Sequence, residues 1–477
     1  MPTNAGVERL DRDLLRLMGV LLAGASVALL DTTIVAVAID DLTRAFGTTV
    51  SMAQWATTGY LLAMAAAIPT MGWLTDRWGA RRVWLVTLSL FMAGSVLCGL
   101  AWSIESLIAA RVLQGLGGGL ILPLVQAILA GAAGPRRMGR VMGMIGIPGQ
   151  LAPILGPVLG GVILGSLGWR WIFLVNVPLC LLAIALARRH LHVTDARRSV
   201  PFDWAGALLM IPAIVAILAG LSAVGELQSA SAGSIVLLTG GMGLLAGFVL
   251  HAKNNGDRAI IDLRLLRLPS FSVATVLMFL SGACLYAPML LLPLFYQQAR
   301  GVPVSQVGLL LAPQGLGLMA GLWAAGRSAD RFGPRIVALA GAVLAGTGVT
   351  VFVVAGDAPL FVLSAGLVAL GAGLGGVGVA VSATSYRDVR PTAIPRATSL
   401  LNIVQRVGAS FGTVVIAGIL HQRLAAGDAD AGQGAVDAAF AHTFAWALGL
   451  LAVVLVVVPF LPAAPPPLPP ARATGRP

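Results

Sequence analysis

The sequence predicts an all-α polytopic membrane protein, and three observations carry that prediction. Of the 477 residues, 58% are hydrophobic and only 10% are charged, whereas a soluble domain carries about 25% charged residues. Apolar runs of about 20 residues, the length that crosses the hydrocarbon core, recur from one end of the chain to the other. Lys and Arg are dealt out in small groups between those runs, as a topology signal is. The 59 glycines suit helices that pack closely in lipid.

Taken in order, fourteen spans are expected, at roughly 14–39, 51–74, 83–102, 106–132, 138–166, 171–187, 204–224, 232–251, 271–297, 304–326, 336–355, 358–385, 398–421 and 438–461. With the N-terminus inside, 25 of the 31 Lys and Arg fall in inside segments. Arg44, Arg170, Arg300 and Arg423 fall outside, and Arg111 and Arg406 lie within spans. One missed helix would have inverted every later loop and blurred that asymmetry, so both termini are expected to be cytoplasmic. The first apolar run is too long for a cleavable leader, and Asp40-Asp41 at its outer end is no cleavage site. The Pro-rich segment 463–477 is expected to be a disordered cytoplasmic tail.

The net charge of +12 does not point to nucleic acid, because the basic residues are not pooled in one patch. Cys98, Cys180 and Cys284 are too few and too scattered for a disulfide framework. The five histidines form no ligand pair, so no metal is expected, and no catalytic constellation survives inspection. Gly371-Ala372-Gly373-Leu374-Gly375-Gly376 fits a dinucleotide fingerprint, but it lies inside span twelve with no strand before it and is discarded.

An internal repeat organises the chain. Gly72-Trp73-Leu74-Thr75-Asp76-Arg77-Trp78-Gly79-Ala80-Arg81 recurs 254 residues later as Gly326-Arg327-Ser328-Ala329-Asp330-Arg331-Phe332-Gly333-Pro334-Arg335, with Gly, Asp, Arg, Gly and Arg in common. Both copies fall on the inside, after spans two and ten. Two like-oriented six-helix halves with spans seven and eight between them are therefore expected, in the manner of rocking transporters. The divisions are 1–190 for the first bundle, 191–257 for the inserted pair, 258–462 for the second bundle and 463–477 for the tail.

The first copy resembles the G-x-L-x-D-R-x-G-R-R signature of the major facilitator superfamily. Leu30-Asp31-Thr32-Thr33-Ile34-Val35, Arg111-Val112-Leu113-Gln114-Gly115-Leu116-Gly117, Gly156-Pro157-Val158-Leu159-Gly160-Gly161, and Trp169-Arg170-Trp171-Ile172-Phe173 with Asn176-Val177-Pro178 are similar to motifs of its fourteen-helix drug:proton antiporters. Where that family usually has Asn and Pro in the first motif, this chain has Ala36 and Asp40. The resemblance implies a conformational latch at Gly72, Asp76, Arg77, Gly79 and Arg81, echoed at Asp330 and Arg331. It also implies an antiporter motif at Gly156, Pro157, Gly160 and Gly161, whose packing closes the inner route.

The residues themselves add a proton site. Asp31 is the one acidic residue well inside a span, and a mid-helix Asp costs about 2.5–3.5 kcal/mol on insertion scales, which marks it as functional. Asp31 lies about 12 Å and Arg111 roughly 8 Å from the outer ends of their helices at 1.5 Å per residue. A pair or a water-bridged contact between them is therefore expected, with Arg111 modulating Asp31. Gly156-Pro157 should kink span five, and Gly149, Gly156, Gly160 and Gly161 should give it one thin side. Gln54, Trp55, Tyr60, Gln114 and Gln150 in the first half, and Tyr286, Gln314, Asn402, Gln405 and Arg406 in the second, are candidates to line a mostly apolar cavity. Each is equally suited to interhelical hydrogen bonding.

The reading is a proton-coupled exporter of a lipophilic compound in a bacterial inner membrane, with no cofactor beyond the proton gradient, no nucleic-acid partner, and function as a monomer. A carboxylate among aromatics suits a cation. The alternatives are a dedicated exporter of one metabolite, antibiotic, siderophore or lipid, and, more remotely, a non-transporting membrane sensor.

Overall fold

The computed structural model describes residues 11–134, 137–191, 201–227, 231–354, 356, 358–426 and 432–462. The tail 463–477 lies outside the described residues, as do Arg9, Arg136, Arg197, Arg198, Arg472 and Arg476 of the topology signal and the side chain of Pro157. The chain is helical, with no strand among the described residues. The helices are α1 (Arg12–Val37), α2 (Ile39–Phe46), α3 (Val50–Ala67), α4 (Met71–Trp78), α5 (Ala80–Gly99), α6 (Ile104–Ala133), α7 (Met138–Leu167), α8 (Arg170–Leu174) and α9 (Asn176–His190). Then follow α10 (Trp204–Leu227), α11 (Ala232–Asn255), α12 (Pro269–Leu294), α13 (Val304–Phe332), α14 (Pro334–Val354), α15 (Leu360–Ser385), α16 (Ile394–Ala426) and α17 (Gly432–Val457).

Among the described residues, twelve helices are long and apolar enough to cross a membrane. The two expected spans outside those twelve are the α3–α4 segment and α7. The first is not the single rod that the apolar run at 51–74 implies. Pro69 supplies no N–H, so the chain tightens into a 3-10 turn at Ile68–Thr70 before α4 resumes. The run at 171–187 is likewise divided at Val175 into α8 and α9. Helix α1 stops at Ala38, and Asp40 and Asp41 fall in the first turn of α2, where the helix dipole favours acids.

Helices α1, α3, α5, α6, α7 and α9 pack on one another, as do α12 to α17. Between the two groups α7 lies along α13, and α6 and α4 meet α16. Helix α10 touches both groups, through α3 and α16, whereas α11 packs chiefly on α10 and leaves most of its apolar surface free of protein. Small residues set the closest approaches. A side chain on Gly115 would strike the carbonyl of Tyr60 in α3, and one on Gly117 would strike Phe91 in α5, so α6 is clamped from both sides. The discarded glycine run has the same use: Gly371 lies on the backbone of Gln314, and Gly373 on that of Ala345, wedging α15 between α13 and α14.

The repeat is structural as well as sequential. Gly79 ends α4 at φ 82°, ψ 150°, and Gly333 ends α13 at φ 88°, ψ 151°. A positive φ of that size is open to glycine and strained for other residues. Both turns stand at the end of the molecule that carries Arg77, Arg81, Arg331 and Arg335, the basic end.

Candidate functional site

The centre of the first helix group holds a sealed polar cluster built on Asp31. Its side chain is fully buried, as is that of Arg111, and Arg111 Nη1 donates to Asp31 Oδ2 at 2.6 Å. Gln114, one turn further along α6, donates from Nε2 to Asp31 Oδ1 at 3.0 Å and to Ser95 Oγ at 2.7 Å. Its Oε1 accepts a second bond from Arg111 Nη1 at 2.6 Å. Asn176, at the start of α9, donates to Asp31 Oδ1 at 2.7 Å. Arg111 Nε donates to the carbonyl of Ala56 at 3.1 Å, and its guanidinium lies 3.9 Å from the ring centroid of Tyr60. Both carboxylate oxygens are thus occupied, by three donors from α6 and α9. Four helices supply the shell, and the glycines of α6 let α3 and α5 close over it.

Chemically, this is a carboxylate whose charge is matched by one guanidinium and whose lone pairs are met by amides. It can release its ionic partner only if α1, α6 and α9 move relative to one another, or if it gains a proton and no longer needs the guanidinium. Tyr60 and Gln114, expected to line a cavity, belong to this cluster instead: both are buried, one beneath Arg111 and the other between Asp31 and Ser95. Asn176 was quoted only as part of a motif, and Ser95 not at all, although both complete the shell.

A second set of contacts joins the two helix groups at the basic end. Asp76 Oδ2 accepts from Arg396 Nη2 at 2.8 Å, and Asp330 Oδ2 accepts from Arg140 Nε at 2.9 Å, with the backbone N–H of Gly139 on Oδ1 at 2.9 Å. Each repeated Asp therefore reaches an Arg of the opposite group. Those arginines hold the same place, the third residue of α7 and of α16. Gly72 lies against Arg396, and Gly326 against the backbone of Gly139 and Arg140. Arg81 instead donates to the carbonyl of Arg188 at the end of α9, at 2.8 Å, within its own group. Arg331 lies over Phe332, 5.1 Å from its centroid. Ser399 donates to the carbonyl of Ile68 at 2.9 Å and Asn402 to Gln126 Oε1 at 2.8 Å, extending the seam inward along α16. Arg140, Arg396, Ser399 and Gln126 carry no local sequence signal for this role; only the repeat, used as a template for pairing across the halves, could have found the arginines.

The glycines of α7 divide by depth. Near the basic end, Gly139, Gly143 and Gly146 face α13, where a side chain would meet Gly326, Leu322 or Asp330. Further along, Gly156 lies against Thr33 and Gly160 against Ile34, both on α1. Thr33 Oγ1 donates to the carbonyl of Ala152 at 3.0 Å, binding α7 to the helix that carries Asp31. Gly149 and Gly161 face open space, so the expected thin side is not continuous: the partner changes from α13 to α1 as α7 rises. Of the remaining cavity candidates, Gln54, Trp55 and Tyr286 are exposed, Gln150, Gln314, Gln405 and Arg406 are half-buried, and Asn402 is buried in its bond to Gln126.

The described residues thus form a multi-helix protein with a sealed ion pair in one half and matched ion pairs between the halves. The chain belongs to the Major Facilitator Superfamily, whose model matches residues 21–413 and 274–476. It is 39% identical over 418 residues to the multidrug resistance protein B homolog of Mycobacterium tuberculosis, covering 87% of this chain and 77% of that one. It is 28% identical over 404 residues to the drug efflux pump JefA of the same organism, covering 84% and 80%. The solved structure of the proton:xylose symporter XylE superposes with a TM-score of 0.62 at 15% identity over 94% of this chain and 96% of that one, a likeness of fold. The chain is thus a multi-pass membrane transporter, not an enzyme, with multidrug-resistance and drug-efflux proteins among its relatives.

Proposed function

We propose that the chain is a fourteen-span drug:proton antiporter of a bacterial inner membrane, with both termini cytoplasmic, that exports lipophilic compounds by alternating access as a monomer without a cofactor. The observation that carries this reading is the sealed Asp31–Arg111 pair beside a helix, α7, that is tied to α1 at one depth and to α13 at another. In this reading the basic end is cytoplasmic and locked, with Asp31 paired to Arg111. Protonation from the outer side neutralises Asp31 and frees Arg111. Thr33 and Gly156 then couple the shift of α1 to α7, and α7 slides on α13, loosening the Asp330–Arg140 and Asp76–Arg396 latches. Release of the proton on the inside restores the pair.

The test is efflux of a panel of fluorescent lipophilic dyes from cells producing the wild type or Asp31→Asn, with and without a protonophore. Protonophore-sensitive efflux by the wild type, lost in the variant, is the expected result. Undiminished efflux by the variant would place the proton elsewhere.

A further inference from the structure

Along α16, the residues that meet the opposite helix group are Arg396, Ser399 and Asn402, bonded in turn to Asp76, Ile68 and Gln126. Arg406 is the next residue on that face, four beyond Asn402, where the cross-group hydrogen bonds stop. It lies within a span and is half-buried. No carboxylate or hydrogen-bond acceptor pairs with it among the described residues. Asp31, also within a span, is sealed and already matched by Arg111. An ionised side chain within a span and without a counter-ion marks a functional site, and an anionic ligand supplies the missing charge. Its planar donors fit a carboxylate or sulfonate in bidentate fashion, and Gly282 of α12 lies on the carbonyl of Gln405, so the exposed ring of Tyr286, one turn further along α12, offers a face to an aromatic body.

We propose that the transported compound is a lipophilic organic anion, its acid group held by Arg406 on α16 and its apolar body against α12 at Tyr286. This rests on the exporter reading above, since it names the substrate class of that exporter, and it departs from the cation that an accessible Asp31 would have favoured.

The test uses the purified full chain in detergent with two probes of the same aromatic body and opposite charge, pyrenebutyrate and pyrenebutyl-trimethylammonium, and reads affinity by calorimetry. The wild type is expected to bind the carboxylate about tenfold more tightly than the ammonium. Arg406→Gln should erase that preference, and Arg406→Lys should keep part of it, at unchanged unfolding temperature. Tighter binding of the ammonium, binding of neither ion, or an unchanged preference in Arg406→Gln overturns the proposal. No gradient enters the measurement, so loss of proton-driven efflux with anion binding intact would fault the antiport reading alone.

Discussion

At the scale of single residues, Asp31 and Arg111 neutralise each other in a shell without water access. Removing one charge strands the other, and breaking a buried pair costs about 3–5 kcal/mol. Asp31→Asn is therefore expected to lower the unfolding temperature of the purified protein clearly. Arg111→Gln added to it should recover most of the loss, while proton-coupled transport stays absent from both variants. Scanning fluorimetry beside an efflux assay separates the two effects, and additive destabilisation would show that the pair is not the unit. The pair itself was legible in the sequence, because an ionisable residue in an apolar run is expensive enough to need a reason. Asn176 and Ser95 were not, since amides and hydroxyls serve as ordinary interhelical links, and only the approach of α5 and α9 to α1 turns them into a shell. The same packing took Tyr60 and Gln114 out of the cavity in which the sequence had placed them.

At the scale of elements, the basic end is held by a symmetric exchange, each repeated Asp gripping the third residue of a helix in the other group. Asp330→Asn should loosen that end, and Gly143→Leu should do so more strongly, because the new side chain would run into the carbonyl of Leu322 on α13. A cysteine replacing Ser399, which is fully buried in the seam against Ile68, reports the change. Its maleimide labelling should quicken severalfold in either variant, and unaltered labelling would remove these contacts from the latch. The repeat, the glycine turn and the latch motif could all be read from the chain. Their partners could not, because Arg140 and Arg396 lie 190 and 320 residues from the acids that they meet. The break in the second span was foreshadowed by Pro69, whose missing N–H matters more to helix geometry than to hydropathy. Continuity of an apolar run says nothing of continuity of the rod.

At the scale of the whole molecule, charge and voltage decide the energetics. A proton entering down 100 mV supplies about 2.3 kcal/mol, and each pH unit about 1.4 kcal/mol. If one proton enters as one organic anion leaves, two positive charges move inward in effect, and the voltage contributes about 4.6 kcal/mol per 100 mV. Export of an anionic dye from proteoliposomes should then slow when valinomycin collapses the potential, and slow again when nigericin collapses the pH gradient. A monocation exchanged for one proton would respond to the pH gradient alone. The fold class, the repeat and the buried Asp31–Arg111 pair were visible in composition, periodicity and the cost of burying charge. The leftover cation was hidden, because it depends on which of three ionised side chains within spans find each other: Asp31 and Arg111 do, and Arg406 has no partner among the described residues. The central claim, that Asp31 carries the coupled proton, is tested most directly by proton flux. Proteoliposomes holding a pH-sensitive dye, and exchanging the compound that the wild type expels fastest from cells, should acidify inside as that compound moves against the proton, and should not do so with Asp31→Asn. Equal acidification by the variant would contradict it.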